Sequence, residues 1–252
     1  MKRSIGALLS ALLVLALGAR ARAEGEHDAK AIVDKGIKSL GGEEKLAQLK
    51  AATWKSKGTV NLGGSDSPFT AEGTMQGLDK YRGQFEGEFM GNKIQGVVVL
   101  NGDKGWAKFG DMDVELDKDR LANEKHNMHL QLIPMLLLPL KDKAFKVEAA
   151  GEDKVGGKPA LGLKVTPPDG KEFKLYFDKD SGLPVKVVAK VKDFMGQEHD
   201  QETLLTDYKD FHGIKKATKI QSNRNGQKFL EQQTTEFKIL DKVDPNTFAQ
   251  PK

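Results

Sequence analysis

The chain has 252 residues, 40 Lys and Arg against 36 Asp and Glu, and no cysteine. That length, with 38% hydrophobic and 30% charged residues, describes a folding chain of one large β domain or two small ones, not a disordered one. The missing cysteine excludes a disulfide framework, a thiolate nucleophile, a Cys-ligated metal centre and a lipid anchor on an N-terminal cysteine.

The formal charge of +4 is concentrated at the start. Lys2 and Arg3 precede an apolar run from Ile5 to Leu17, and Ala21-Arg22-Ala23 follows as an A-x-A cleavage site. This is the layout of a secretory signal peptide over residues 1–23, its apolar run short of the roughly 20 residues a membrane-spanning helix needs. Removing it takes away Lys2, Arg3, Arg20 and Arg22 and no acid, which leaves 36 bases against 36 acids. The expected product, residues 24–252, is a neutral, exported, soluble single domain, periplasmic or otherwise outside the cytoplasm. With only Arg82, Arg120 and Arg224 left, nucleic acid is not an expected partner.

From Asp28 to Leu40 apolar residues recur at helical spacing, at Ala29, Ile32, Val33, Ile37 and Leu40, and Gly41-Gly42 stops the helix. Glu43 to Leu49 reads as a short second helix. From Ala52 the period becomes two: Thr53–Leu62, Phe69–Gly77, Lys80–Phe89, Lys93–Asn101, Trp106–Phe109 and Asp113–Leu116 follow one another as an antiparallel meander. A helical insert, Asp117–Ile133, runs into the apolar Pro134–Leu140, and Pro134 is expected to end or kink it. Strands resume at Phe145–Ala150, Leu161–Thr166, Glu172–Asp178, Val185–Lys192, Gln201–Tyr208, Thr218–Arg224 and Lys228–Ile239, with Asn225-Gly226 marking a type I′ hairpin. The expected class is mainly β with a few helices. It is a curled antiparallel sheet of about eleven strands, an open half-barrel covered by the N-terminal helix and the central helical insert.

Motifs for catalysis are absent: there is no G-x-S-x-G, Walker loop, G-x-G-x-x-G or H-E-x-x-H. His126 and His129 share a helix face without a third ligand nearby, so no metal and no cofactor are expected. Asp178 to Gly182 begins like a calcium loop, but its glycine comes one position early and Ala189 stands where a glutamate is needed, which leaves a β-turn. Glu198-His199-Asp200 alternate between the two faces of a strand, and a hydrolase reading rests on these and His212 alone. Lysines crowd Lys154 to Lys228, either as a solvated sheet surface or as a face for anionic lipid head groups.

Several short motifs in order carry a resemblance. They are Lys80-Tyr81-Arg82 on an early strand, Asn101 to Trp106 at a hairpin, Tyr176-Phe177-Asp178 leading to Ser181-Gly182-Leu183-Pro184, Thr206-Asp207-Tyr208 before Gly213-Ile214, and the closing Val243 to Phe248. With the helices, this order resembles the LolA-like periplasmic outer-membrane lipoprotein carriers and their lipoprotein-sorting relatives, over about Asp28 to Phe248. The resemblance implies a half-barrel whose apolar interior accepts acyl chains, with an early-strand arginine, here Arg82, holding the helical lid. Strict alternation puts Tyr81, Phe85 and Phe89 on one face and Arg82 on the other, so either a bulge near Gly83 re-aims Arg82 or it faces solvent and the latch role fails.

The expected function is a non-enzymatic binding protein for a lipid or the acyl chains of a lipoprotein. Candidate lining residues are Phe85, Phe89, Trp106, Leu132, Leu136, Leu137, Phe173, Leu175 and Phe177, with Arg82 as latch. The alternative for each is a place in a filled core. Expected partners are the acyl ligand and a membrane-bound donor or acceptor protein, with the chain acting as a monomer. The runner-up is an envelope-stress interaction module of the same fold that contacts a membrane-bound partner.

Overall fold

Strands with one dry face pair into a surface that has to be covered. The computed structural model describes residues 28–62, 64–89, 91–110, 112–193 and 196–251, Leu62 and Phe89 by backbone alone. The predicted signal peptide lies outside the described residues, as does the side chain of Phe89.

Six strands form the first meander: β1 (Ala51–Leu62), β2 (Ser65–Gln76), β3 (Lys80–Phe89), β4 (Asn92–Asn101), β5 (Lys104–Phe109) and β6 (Met112–Glu115). Seven form the second: β7 (Lys146–Val155), β8 (Lys158–Thr166), β9 (Phe173–Asp178), β10 (Pro184–Lys192), β11 (Glu198–Phe211), β12 (Ile214–Arg224) and β13 (Gln227–Leu240). All thirteen belong to one antiparallel sheet in the order β6-β5-β4-β3-β2-β1-β13-β12-β11-β10-β9-β8-β7. Each expected segment appears as a strand, thirteen in all and close to the stated eleven or so, and even the four-residue β6 pairs in full, from Trp106 with Glu115 to Phe109 with Met112. β6 and β7 are the free edges, so the half-barrel stays open.

Three helices accompany the sheet: α1 over 28–40, α2 (Glu43–Gln48) and α3 (Lys118–Leu136), the last followed by a 3₁₀ turn, Leu138–Lys141. The first meander walks from the middle of the sheet to one edge, and α3 must carry the chain across to the other edge, where the second meander starts. Laid flat, thirteen strands would separate β6 from β7 by about 58 Å at ~4.8 Å per strand. The nineteen-residue α3 is only about 28 Å long. A sheet this wide curls, and it does so around the helix that joins its edges, with β4 and β10 both in contact with α3.

The concave face and the helices share one core. α1 contributes Val33, Ile37 and Leu40, α3 contributes Leu132, Ile133 and Leu136, and the sheet contributes Trp54, Met75, Leu100, Leu175, Phe177 and Val187. α1 lies so close that a Cβ on Gly36 would sit 2.7 Å from the Phe177 ring and 2.9 Å from Leu137. Its exposed side is tied down where Lys35 Nζ donates to Lys179 O (2.7 Å) and Ser39 Oγ donates to Ser181 O (2.5 Å). These carbonyls belong to the turn after β9, which Asp178 holds by accepting from Ser181 N and Ser181 Oγ, each at 2.7 Å.

A smaller cluster seals the convex face. The 3₁₀ turn Pro245–Phe248 lies against β3 and β4, where Val99 and Phe248 are both fully buried and Asn101 Nδ2 donates to Phe248 O at 3.2 Å. The closing motif thus works as a plug on the outside of the sheet.

Trp54 reaches across β1 onto β2, where a Cβ on Gly73 would lie 2.2 Å from its indole. Gly73→Ala should lower unfolding stability by about 1–3 kcal/mol in a denaturant titration, although alanine suits a strand better than glycine. A neutral or stabilising result would mean that the indole moves aside freely.

Candidate functional site

The site is the space between α3 and the middle strands of the concave face. Asp117 caps α3, its carboxylate accepting from Arg120 N at 2.9 Å, and the helix turns from polar to apolar along its length. Pro134 neither ends it nor stops its last turn: helical geometry continues to Leu136, and Leu137, at φ 51, closes the end by donating its N–H to Ile133 O (3.0 Å). Proline costs one intrahelical bond near the terminus, which the closing turn tolerates.

A few polar contacts hold α3 against both meanders. From the first, Lys125 pairs with Asp103 at 3.3 Å, and the Tyr81 hydroxyl on β3 donates to Gln131 Oε1 at 2.9 Å. From the second, Asn123 Nδ2 donates to Lys192 O (3.3 Å), His126 Nε2 meets Lys190 O (3.2 Å) and His129 Nδ1 meets the Asp169 carboxylate (3.5 Å). Burial pushes His126 below the ordinary histidine range against the pull of Asp169. Burial also opposes the Asp169 charge, but the His129 contact and the Lys171 N–H outweigh it and hold that carboxyl below its usual range. The two histidines are thus buried members of the covering helix, and no group of three metal-ligating side chains occurs among the described residues.

Beneath α3 lies an apolar cleft lined by Leu132, Pro134 and Met135 of the helix, Trp54 of β1, Leu205 and Tyr208 of β11 and Ile220 of β12, with Gln131, Gln232 and Thr234 at its polar margin. Its free volume is about 40 Å³, room for a few waters and not for an acyl chain. Lys215 and Lys216 both border it, Lys215 exposed and Lys216 with its ammonium held inside. Lys216 Nζ donates to Ala217 O and Thr234 Oγ1, both at 3.1 Å, and stands 5.4 Å from the centre of the Phe237 ring. No carboxylate pairs with it among the described residues, and burial pushes its ammonium down to about 8.

A larger groove of about 690 Å³ opens on the convex face, bounded by Lys57, Lys93 and Lys219 and equally by Glu86, Glu88 and Glu231. Three charges of each sign give it no preference for an ion, and Pro68 and Phe69 are its apolar members.

The residues expected at the site separate into three groups. Pairing from β2 through β5 runs without a bulge at Gly83, so Arg82, Val99 and Trp106 form one row on the face opposite Tyr81, Leu100 and Gly105. Arg82 bonds Gln84 of its own strand at 3.4 Å, and Trp106 shares that convex face; neither reaches the cleft. The early-strand residue that bonds α3 is the neighbour Tyr81, on the concave face, and not Arg82. Leu132, Leu136, Leu137, Phe173, Leu175 and Phe177 are at most 7% exposed and belong to the filled core, and of these only Leu132 also borders the cleft. Phe85 is half-buried against Phe109, ring centres 6.1 Å apart, and does not border the cleft. Tyr81, Trp54 and Lys216 were missed. Alternation already placed Tyr81 on the right face, whereas nothing local distinguishes Lys216 from its neighbours.

Glu198 and Asp200 pair with Lys190 at 2.8 and 3.5 Å, while His199, between them in sequence, turns to Asp193 (3.0 Å) and Asn225 (3.3 Å). The acid-base triplet is divided between two faces, as alternation requires.

No family model and no curated protein matches the chain. Solved structures do. The fold is similar to a LolA superfamily protein from Nitrosomonas europaea, at 8% identity and a TM-score of 0.57, covering 88% of this chain and 97% of that one. It is similar to a DUF1329 family protein from Desulfovibrio piger at 13% and 0.56, covering 88% and 97%. It is also similar to an outer membrane lipoprotein-sorting protein domain from Vibrio parahaemolyticus at 13% and 0.52, covering 86% and 97%. The architecture is LolA-like, and at these identities the likeness defines the fold alone. Among the described residues no helix is long and apolar enough to cross a membrane.

Tyr81→Phe keeps the ring and removes the bond to Gln131. It should cost about 0.5–1.5 kcal/mol globally, with a larger drop in amide-exchange protection within α3 than in β8 to β10; uniform loss across the molecule would deny Tyr81 the latch role. Lys216 gives a test with a defined sign. Its folded pKa lies below its ordinary 10.5, so its penalty is complete below about pH 8 and fades as pH rises toward 10.5, where the unfolded chain binds the extra proton. Of the titratable groups beside it, Tyr208 is held protonated by burial and Lys215 is exposed. Lys216→Met should melt higher than the parent near pH 7, with the gap closing by about pH 10; a gap independent of pH would show that the amine is not strained by burial.

Proposed function

We propose that the chain is an exported, non-enzymatic binding protein that shelters an apolar chain, a lipid or the acyl part of a lipoprotein, beneath α3. The observation that carries this reading is the apolar cleft under a helix that is anchored by a handful of polar contacts at its margins and is buried mainly through its second half. The LolA-like fold supports it, because one of the similar structures is described as a lipoprotein-sorting domain.

A cleft of about 40 Å³ is the closed state. Admitting an acyl chain requires α3 to lift, breaking the Tyr81 and His126 contacts and exposing Leu132 and Met135 until the ligand replaces them. Each buried methylene contributes about 0.8 kcal/mol, so a chain of ten or more carbons recovers what those contacts supplied. Release then needs an acceptor that competes for the same chain.

Native mass spectrometry and solvent extraction of protein purified from its own envelope should recover a stoichiometric lipid. A fluorescent acyl probe should bind, and should leave faster from Tyr81→Phe. Recovery of no lipid, together with no uptake of the probe, would end the carrier reading; capture of one membrane protein by a lipid-free chain would favour an interaction module.

A further inference from the structure

The carrier reading leaves Lys216 without a purpose. A cation in an apolar cleft costs stability unless a counter-charge meets it, and here it is met by two neutral oxygens. An ammonium has three N–H donors. Two are used, on Ala217 O and Thr234 Oγ1, and the third has no acceptor among the described residues.

Its position is fixed by the sheet, not by a loop. Ser56 on β1 faces Thr234 on β13, two places from the pair Trp54 and Phe237, so Thr234 lies on the concave face with the indole. Lys216, bonded to Thr234 and close to the Phe237 ring, points the same way, under the second half of α3. The cleft therefore has one cationic end and an apolar body formed by Trp54, Leu132, Met135 and Leu205.

We propose that this cleft takes an amphiphile with a single anionic head group, a carboxylate or a phosphate monoester, with its head on Lys216 and Thr234 and its chain under α3. The proposal rests on the carrier reading and narrows it, since an uncharged acyl group would leave Lys216 as it stands. The head site is formed in the closed state, whereas the chain site opens only when α3 lifts. Binding proceeds from the charged end, and the ion pair helps offset the contacts that α3 gives up.

The test compares four probes of equal chain length by titration calorimetry at neutral pH: laurate, lauryl phosphate, lauryl alcohol and laurylamine. The parent should bind laurate or lauryl phosphate on the order of tenfold to a hundredfold more tightly than lauryl alcohol, and laurylamine least; the tighter of the two anions identifies the head group. Lys216→Met should lose the preference for the anions over the alcohol, whatever the change in affinity common to all four probes, and Lys216→Arg should restore most of that preference. Met at this position removes a strained charge, so the variant folds, which its melting curve verifies. Equal binding of all four probes by the parent, or an anion preference that survives Lys216→Met, would overturn the assignment of Lys216 and leave the carrier reading intact. Failure of all four to bind would instead remove the carrier reading.

Discussion

A single helix has to serve both edges of this sheet. The first meander ends at β6 and the second begins at β7, at opposite edges of the thirteen-stranded sheet, and α3 with its short extensions is the whole of the connection. The helix is about half as long as a flat sheet would be wide, and the curled sheet brings β4 and β10 both against it. The cover and the cleft are both set by where that helix lies on the curled sheet. The same helix buries Leu132, Ile133 and Leu136 in the core at one end, while its first half is held by polar contacts from its neighbours.

The cleft beneath α3 sets two requirements against each other. Trp54, Leu132, Met135 and Leu205 favour a dry, closed space, and Lys216 favours water or an anion. The structure settles on neutral oxygens around the ammonium and a volume too small to solvate it well. A residue that weakens the closed state in this way is what a binding protein needs if its cover is to open at modest cost. Stability near the site and responsiveness of the site pull in opposite directions.

Much of the fold was legible because strand alternation and turn chemistry are local. Asn225 and Gly226 adopt φ of 49° and 78° between Arg224 and Gln227, as a type I′ hairpin demands, and the two meanders are the expected ones. Face assignment was legible too where pairing ran unbroken, which is why alternation separated Tyr81 from Arg82. The resemblance pointed to Arg82, and the geometry favours the residue beside it. Trp106 was misplaced because its face depends on pairing with Val99, a register that the turn Asn101 to Lys104 sets and hydrophobicity alone does not. Phe173, Leu175 and Phe177 looked like lining since they are large and apolar; whether α1 covers them is decided by the close approach at Gly36, a tertiary fact. Lys216 could not be singled out. It sits in a lysine-rich strand, and only pairing with β13, across the register shift after Lys55, turns it inward.

The middle of the sheet is where the chain's first strand meets its last, Ala51 opposite Leu240 and Val60 opposite Leu230. Contacts so distant along the chain form slowly, because nearly the whole sequence must be gathered before they pay back the loop closure. A chain emerging from its N-terminus can therefore build the first meander but cannot join it to anything until β13 has appeared. Until then β1 has an unpaired edge and the concave face has only part of its cover. The order of the strands therefore places the last seam to close at the centre of the sheet, between β1 and β13, and not at its edges.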